Sequence, residues 1–196
     1  MKEIITISRE FGSAGRTIGK NVAEQLGYAY YDKEIIEKIA EESGLAKRFI
    51  ERNGEYATGK NVFSYAFVGR TRDGLSVNDY LWQKQRETIL ELADKGKCVI
   101  VGRCADHILK ERTDCLNVFI HADLEMRAKR IVEVYGESDV KPIERIKDKD
   151  KKRSVNYKYY TDKQWGMAGN YHLTLDSGVI GIGTCVEIIC GLAKEI

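Results

Sequence analysis

The chain has 196 residues, of which 43% are hydrophobic and 32% charged, and its 32 basic and 30 acidic residues leave a net charge of +2. This composition excludes a disordered or membrane-embedded chain, and so small a charge gives no general affinity for polyanions. The longest apolar run is about four residues, Cys98 to Val101, so no membrane span is expected. The opening Met1-Lys2-Glu3 leads into no secretory h-region, which makes the cytoplasm the expected compartment. The length suits a single domain over residues 1–196. Five cysteines form no C-x-x-C pair and no zinc spacing, and are expected as buried free thiols. A single proline, Pro142, points to long helices.

In chain order, Glu3 to Ser8 is a short β-branched strand, followed by the turn Gly12-Ser13-Ala14-Gly15. Apolar residues then recur at Ile18, Val22, Ala23 and Leu26, a helical stripe closed by Gly27. Tyr28 to Tyr31 reads as a second strand, with Asp32 as the cap of a helix carrying Ile35, Ile36, Ile39 and Ala40. Residues 46–78 are irregular and glycine-punctuated; Asn78 to Lys95 is a strong helix ended by Gly96. Cys98 to Val101 is a strand apolar on both faces, Leu116 to His121 another, and a helix runs from Asp123 to about Tyr135. A basic segment spans residues 136–165, His172 to Leu175 is a last strand, and Cys185 to Lys194 a closing helix. Five strands alternating with helices define an α/β fold built on a parallel sheet.

The first strand–turn–helix unit is the most informative. Set in register with G-x-x-x-x-G-K-[S/T], residues 10–17 read Glu10-Phe11-Gly12-Ser13-Ala14-Gly15-Arg16-Thr17. In such a loop small residues let successive backbone N–H groups face a phosphate at a helix N-terminus, a cation meets the β/γ oxygens and a hydroxyl reaches Mg²⁺. Gly12, Gly15 and Thr17 meet these needs, Arg16 stands for the lysine and Glu10 for the first glycine. Asp32 and Arg103 each follow a predicted strand at its C-terminal end, where open α/β sheets bind ligands. Between Lys141 and Lys163 nine basic residues face four acidic ones, a movable source of cations in which Arg153 is the leading candidate. Arg127 and Arg130, three apart on the preceding helix, share a face with each other.

These residues, together with the G-S-x-G-R turn and the Tyr31-Asp32 step, resemble the nucleoside-monophosphate kinases, and most closely the cytidylate kinase-like family. The resemblance covers most of the chain. It implies a P-loop NTPase-type three-layer sandwich with a five-stranded parallel sheet, an acceptor-binding excursion at 46–77 and a lid at 136–165. It implies transfer of a phosphoryl group from ATP, with Mg²⁺, to a nucleoside monophosphate such as CMP or dCMP. On the same ground Gly12, Ser13, Ala14, Gly15, Arg16, Thr17, Arg127, Asp176 and Ser177 are expected to hold ATP, with Thr17 on the metal. Asp32, Arg103 and Asp106 are expected to hold the acceptor, and Arg16, Arg130 and Arg153 to act in transfer. The family's D-G-R-D element reads Val101-Gly102-Arg103-Cys104 here, so only its cation remains, with Asp106 as a displaced carboxylate. No strand ends in a clear metal-holding aspartate.

Three other readings stay in play, the first a kinase of the same fold acting on another small acceptor. A nucleotide-sensing protein of the same fold is consistent with Glu10, Arg16 and Val101. Tyr157, Tyr159 and Tyr160 among Lys158 and Lys163 form a pattern that could stack on single-stranded nucleic acid, but the local charge is modest for that role. Scattered His107, His121 and His172 form no metal motif. The expected partners are small-molecule nucleotides rather than a membrane or nucleic acid, and a homo-oligomer is compatible with the chain.

Overall fold

The computed structural model describes residues 1–44, 47 and 76–195, so nearly all of the expected 46–77 excursion lies outside the described residues. Five strands, β1 (Ile4–Arg9), β2 (Ala29–Tyr31), β3 (Cys98–Val101), β4 (Cys115–His121) and β5 (Leu173–Asp176), form one sheet in the order β2-β3-β1-β4-β5. Every pairing is parallel; Ile4 stands between Cys98 and Cys115, and Arg9 pairs with Ile120 at the far end of β1. The helices are α1 (Gly15–Leu26), α2 (Glu34–Ser43), α3 (Val77–Asp94), α4 (Ala105–Ile108), α5 (Leu124–Tyr135), α6 (Pro142–Thr161) and α7 (Ser177–Glu195).

The central strand β1 is buried along its whole length, and its alternate side chains seed two cores. Ile5 and Ile7 join Ile18 and Val22 of α1 with Cys185, Val186 and Ile189 of α7. Ile4 joins Ile35 and Ile39 of α2 with Leu81, Ile89 and Leu92 of α3 on the opposite face. This is the expected three-layer arrangement, and all five cysteines are free and buried within it. Parallel strands all end on the same side, so the residues following β1, β2, β3, β4 and β5 gather along one rim.

Four local features differ from the sequence-based expectations. Asp32 does not cap α2: the cap position is Lys33 and no side chain bonds there, because the Asp32 carboxylate is drawn to an arginine. A short helix, α4, follows β3. The basic segment is mostly one 20-residue helix, α6, with Pro142 in its first turn, where a missing N–H costs nothing. The closing helix starts at Ser177 and bends at Gly181 (φ +80°). By length and composition α7 is apolar enough to cross a membrane, a property the count of unbroken apolar residues does not register. Its Cys185, Val186, Ile189, Cys190 and Ala193 are instead buried in the core beside α1.

Candidate functional site

The loop from Glu10 to Ala14 leaves β1 and turns back into α1 through two left-handed residues, Gly12 (φ +87°) and Ala14 (φ +62°). A Cβ on Gly12 would lie 2.9 Å from the Arg127 carbonyl oxygen, and one on Gly15 would lie 2.5 Å from Cβ of Arg9, so both positions demand glycine for space. Alanine in the left-handed region is uncommon and strained, which is typical of sites whose surroundings enforce an unusual backbone. Ser13 fixes the turn: its hydroxyl is shared between the carbonyls of Glu10 and Ile120, each at 3.0 Å. Among the described residues, the N–H groups of Gly12, Ala14, Gly15 and Thr17 have no protein acceptor. Four amides turned about the N-terminus of a 12-residue helix form an anion-binding concavity.

Glu10, the departure from the loop pattern, does not plug this concavity. Its carboxylate accepts from the Ala122 N–H at 3.2 Å and pairs with Arg127 Nε at 3.3 Å. Burial raises its carboxyl above the usual range, with Arg127 pulling the other way. Arg127 is itself buried: Nε donates to the Ala122 carbonyl, and Nη1 to the Phe11 carbonyl and to Asp150. The Asp150 carboxylate also accepts from the Phe11 N–H at 2.7 Å, which ties α6 to the start of the loop. Arg127 therefore buckles the loop, α5 and α6 together, and it also lines a cleft beside the loop.

Arg16 and Asp32, expected in separate roles, are joined. Arg16 Nε lies 2.8 Å from Asp32 Oδ2, and Arg9 Nη2 lies 3.9 Å from Asp32 Oδ1. Burial, with Asp32 adding to it, pushes the neighbouring Tyr30 hydroxyl up to about 12. Arg130 donates to Thr17 Oγ1 at 3.1 Å, so the hydroxyl expected at the metal accepts from a cation. Arg153 is buried, donates to the Arg9 carbonyl at 3.3 Å, and stands over the Phe11 ring at 5.8 Å.

On the other side, Gly102, Arg103 and Cys104 leave β3 in three successive left-handed conformations (φ +76°, +57° and +54°). Arg103 is buried and locked to Gln85 of α3 by reciprocal hydrogen bonds of 3.1 and 3.0 Å. Asp106 is equally buried; it accepts from Tyr157 of α6 at 2.7 Å and from Ser8 at 3.4 Å. Burial raises the Asp106 carboxyl, and Tyr157 is raised as well by burial and by Asp106.

Three clefts adjoin at the rim. The first is lined by Arg9 to Gly12 and Ala14 to Thr17 with Arg130 and Arg153. The second holds Arg103, Asn156, Tyr157 and Trp165, and shares Arg9 and Arg153 with the first. The third shares Gly12, Ala14 and Arg130 with the first and includes Met126, Lys129 and Ser177. Asp176 and Ser177 lie on this side and are bonded to the backbone around them. Asp176 Oδ1 accepts from the N–H groups of Gly178 and Val179, and Ser177 donates to the carbonyls of Ser13 and His121. Arg9, Phe11, Asp150, Asn156 and Trp165 were not singled out by the sequence. Arg9 carried a signal, since it ends the first strand; Asp150 carried none.

Solved structures share this architecture. A shikimate kinase from Acinetobacter baumannii, in complex with shikimate, aligns with a TM-score of 0.56 at 16% identity, over 98% of this chain and 93% of that one. An uncharacterized protein from Eubacterium ventriosum aligns with a TM-score of 0.74 at 25% identity, over 98% and 99%. The fold is that of the P-loop kinases. The model of the cytidylate kinase-like family matches residues 4–179, and the chain belongs to that family. A cytidylate kinase from Methanosarcina barkeri is 28% identical over 88% of this chain and 86% of its own length. One from Archaeoglobus fulgidus is 28% identical over 94% and 91%.

Proposed function

We propose that the protein transfers the γ-phosphoryl group of ATP to a nucleoside monophosphate, with CMP and dCMP the leading acceptors. The observation that carries this is the set of three adjoining clefts, with unbonded loop amides in the one that touches both others and buried arginines at its join to the second. In this reading the third cleft takes the donor base beside Ser177. The amides of Gly12 to Thr17 take the polyphosphate, and the second cleft takes the acceptor phosphate on Arg103. The relatives named cytidylate kinase support the acceptor class.

An oxygen of the acceptor phosphate forms a bond to the γ-phosphorus while the bond from that phosphorus to the β–γ bridging oxygen breaks, its electron pair staying on the β-phosphate. The acceptor oxygen is already deprotonated near neutral pH, so the chain's work is positioning and charge neutralisation rather than proton transfer. The residues present fit Mg²⁺ in a limited way. Thr17 offers a hydroxyl, and among the described residues no cluster of three or more His, Cys, Asp or Glu side chains stands ready for a metal. The ion would therefore be held chiefly by phosphate oxygens and water, and would supply charge neutralisation there. Arg16, held on Asp32, acts as a strut between the loop and β2.

Steady-state assays with ATP and a panel of CMP, dCMP, UMP and AMP test this reading. The highest kcat/KM is expected for CMP or dCMP, and no turnover with any of the four rejects it. A sensor without turnover is the second reading, favoured by the Arg16–Asp32 pair, and saturable ATP binding in calorimetry without product would support it.

A further inference from the structure

The P-loop pattern places its working cation at position 16, yet Arg16 is turned onto Asp32 and its side chain is 41% exposed. A different arginine occupies the place where the clefts meet. Arg9 is the last residue of β1, 4% exposed, and with Arg153 it is one of the two residues lining both the first and the second cleft. Its stem runs directly beneath Gly15, close enough that a Cβ there would come within 2.5 Å of Arg9 Cβ and 2.8 Å of Cγ. The glycine at position 15 thus makes room for this arginine as well as for an anion. Arg9 also reaches Asp32, and its carbonyl anchors Arg153, so both guanidinium groups are held at the same border.

A group passed between donor and acceptor must cross that border. Resting on the phosphoryl-transfer reading, we propose that Arg9, rather than Arg16, is the cation that flanks the transferred phosphoryl group, paired with Arg153 from α6. The planar guanidinium at the end of a rigid buried strand is fixed before substrate arrives, which is what stabilising charge spread over equatorial oxygens requires. Arg16, on the solvent side of the loop, holds Asp32 and so limits how Arg9 can turn.

The test compares Arg9→Gln, Arg9→Lys and Arg16→Gln by calorimetry and kinetics. The probes are ATP and a pentaphosphate joining adenosine and cytidine, which in this reading spans all three clefts. For Arg9→Gln, ATP affinity is expected to change by no more than about threefold. Pentaphosphate affinity should fall at least about thirtyfold, and kcat about a hundredfold with little change in KM, the loss typical of removing one transition-state donor. Arg9→Lys should recover part of kcat, and Arg16→Gln should lose less than about tenfold. Equal weakening of ATP and pentaphosphate by Arg9→Gln would overturn the proposal, because a mere prop of the loop predicts it. So would a larger kcat loss in Arg16→Gln. If Arg9→Gln does not fold, Arg9→Lys decides: reduced kcat at unchanged melting temperature supports the assignment, and full activity overturns it. A wild-type protein that binds neither probe fails at the phosphoryl-transfer reading itself, a result distinct from all of these.

Discussion

Asp106 shows how one buried side chain couples the site to stability. It is 5% exposed, accepts from Tyr157 and Ser8, and burial lifts its carboxyl above the ordinary range near 4. The native state then holds a proton at pH values where the unfolded chain has released it. The folded form is favoured most at low pH through this group, and that advantage is lost as pH rises from about 4 through the raised native value. Asp106→Asn, neutral throughout and able to accept from the same hydroxyl groups, is expected to gain on wild type as pH rises from about 4 through the raised native value. Melting temperatures of both proteins across that range check it, and a constant difference would contradict it. Residues of this kind were only partly legible. Gly12, Gly15, Arg103 and Asp106 follow strand ends and so declare themselves, whereas the Arg16–Asp32 pair joins residues on different βα units that nothing in their spacing connects.

At the scale of elements, α6 decides whether the clefts are walled. Its inward face is Arg153, Asn156 and Tyr157, with Ile146 and Thr161. A helix that faces a site rather than a core lacks the apolar stripe by which the other helices were recognisable, which is why this segment showed only its charge. Beside its contacts to Arg9 and Asp106, two features pin it. Asp150 bridges the Phe11 N–H and Arg127 near the middle, and Trp82 of α3 stacks on Tyr160 near the end, with centroids 4.0 Å apart. Asp150→Asn removes one of the two carboxylates opposite the buried Arg127, Glu10 being the other, and is expected to cost about 1–3 kcal/mol, the range for weakening a charged hydrogen bond. Hydrogen exchange should show the loss concentrated at the Phe11 amide and in α6 rather than in β1, β3 or β4. Uniform acceleration, or none, would mean that the bridge does not hold the helix to the loop.

For the molecule as a whole, the parallel sheet puts five strand ends on one rim, and this was readable from the alternation of β-branched runs with helical stripes. The rim then brings together residues as distant as Arg9, Arg103 and Arg153. Their convergence depends on strand order and on the return of α6, neither of which hydrophobic periodicity encodes. The account rests on the loop at the centre of that rim holding a polyphosphate through its backbone. Backbone amide resonances followed during an ATP·Mg²⁺ titration test this most directly. The account predicts large, saturable shifts at Gly12, Ala14, Gly15 and Thr17, with smaller ones along α1. Saturable ATP binding that leaves these four amides unmoved, or no binding at millimolar ATP, would contradict it.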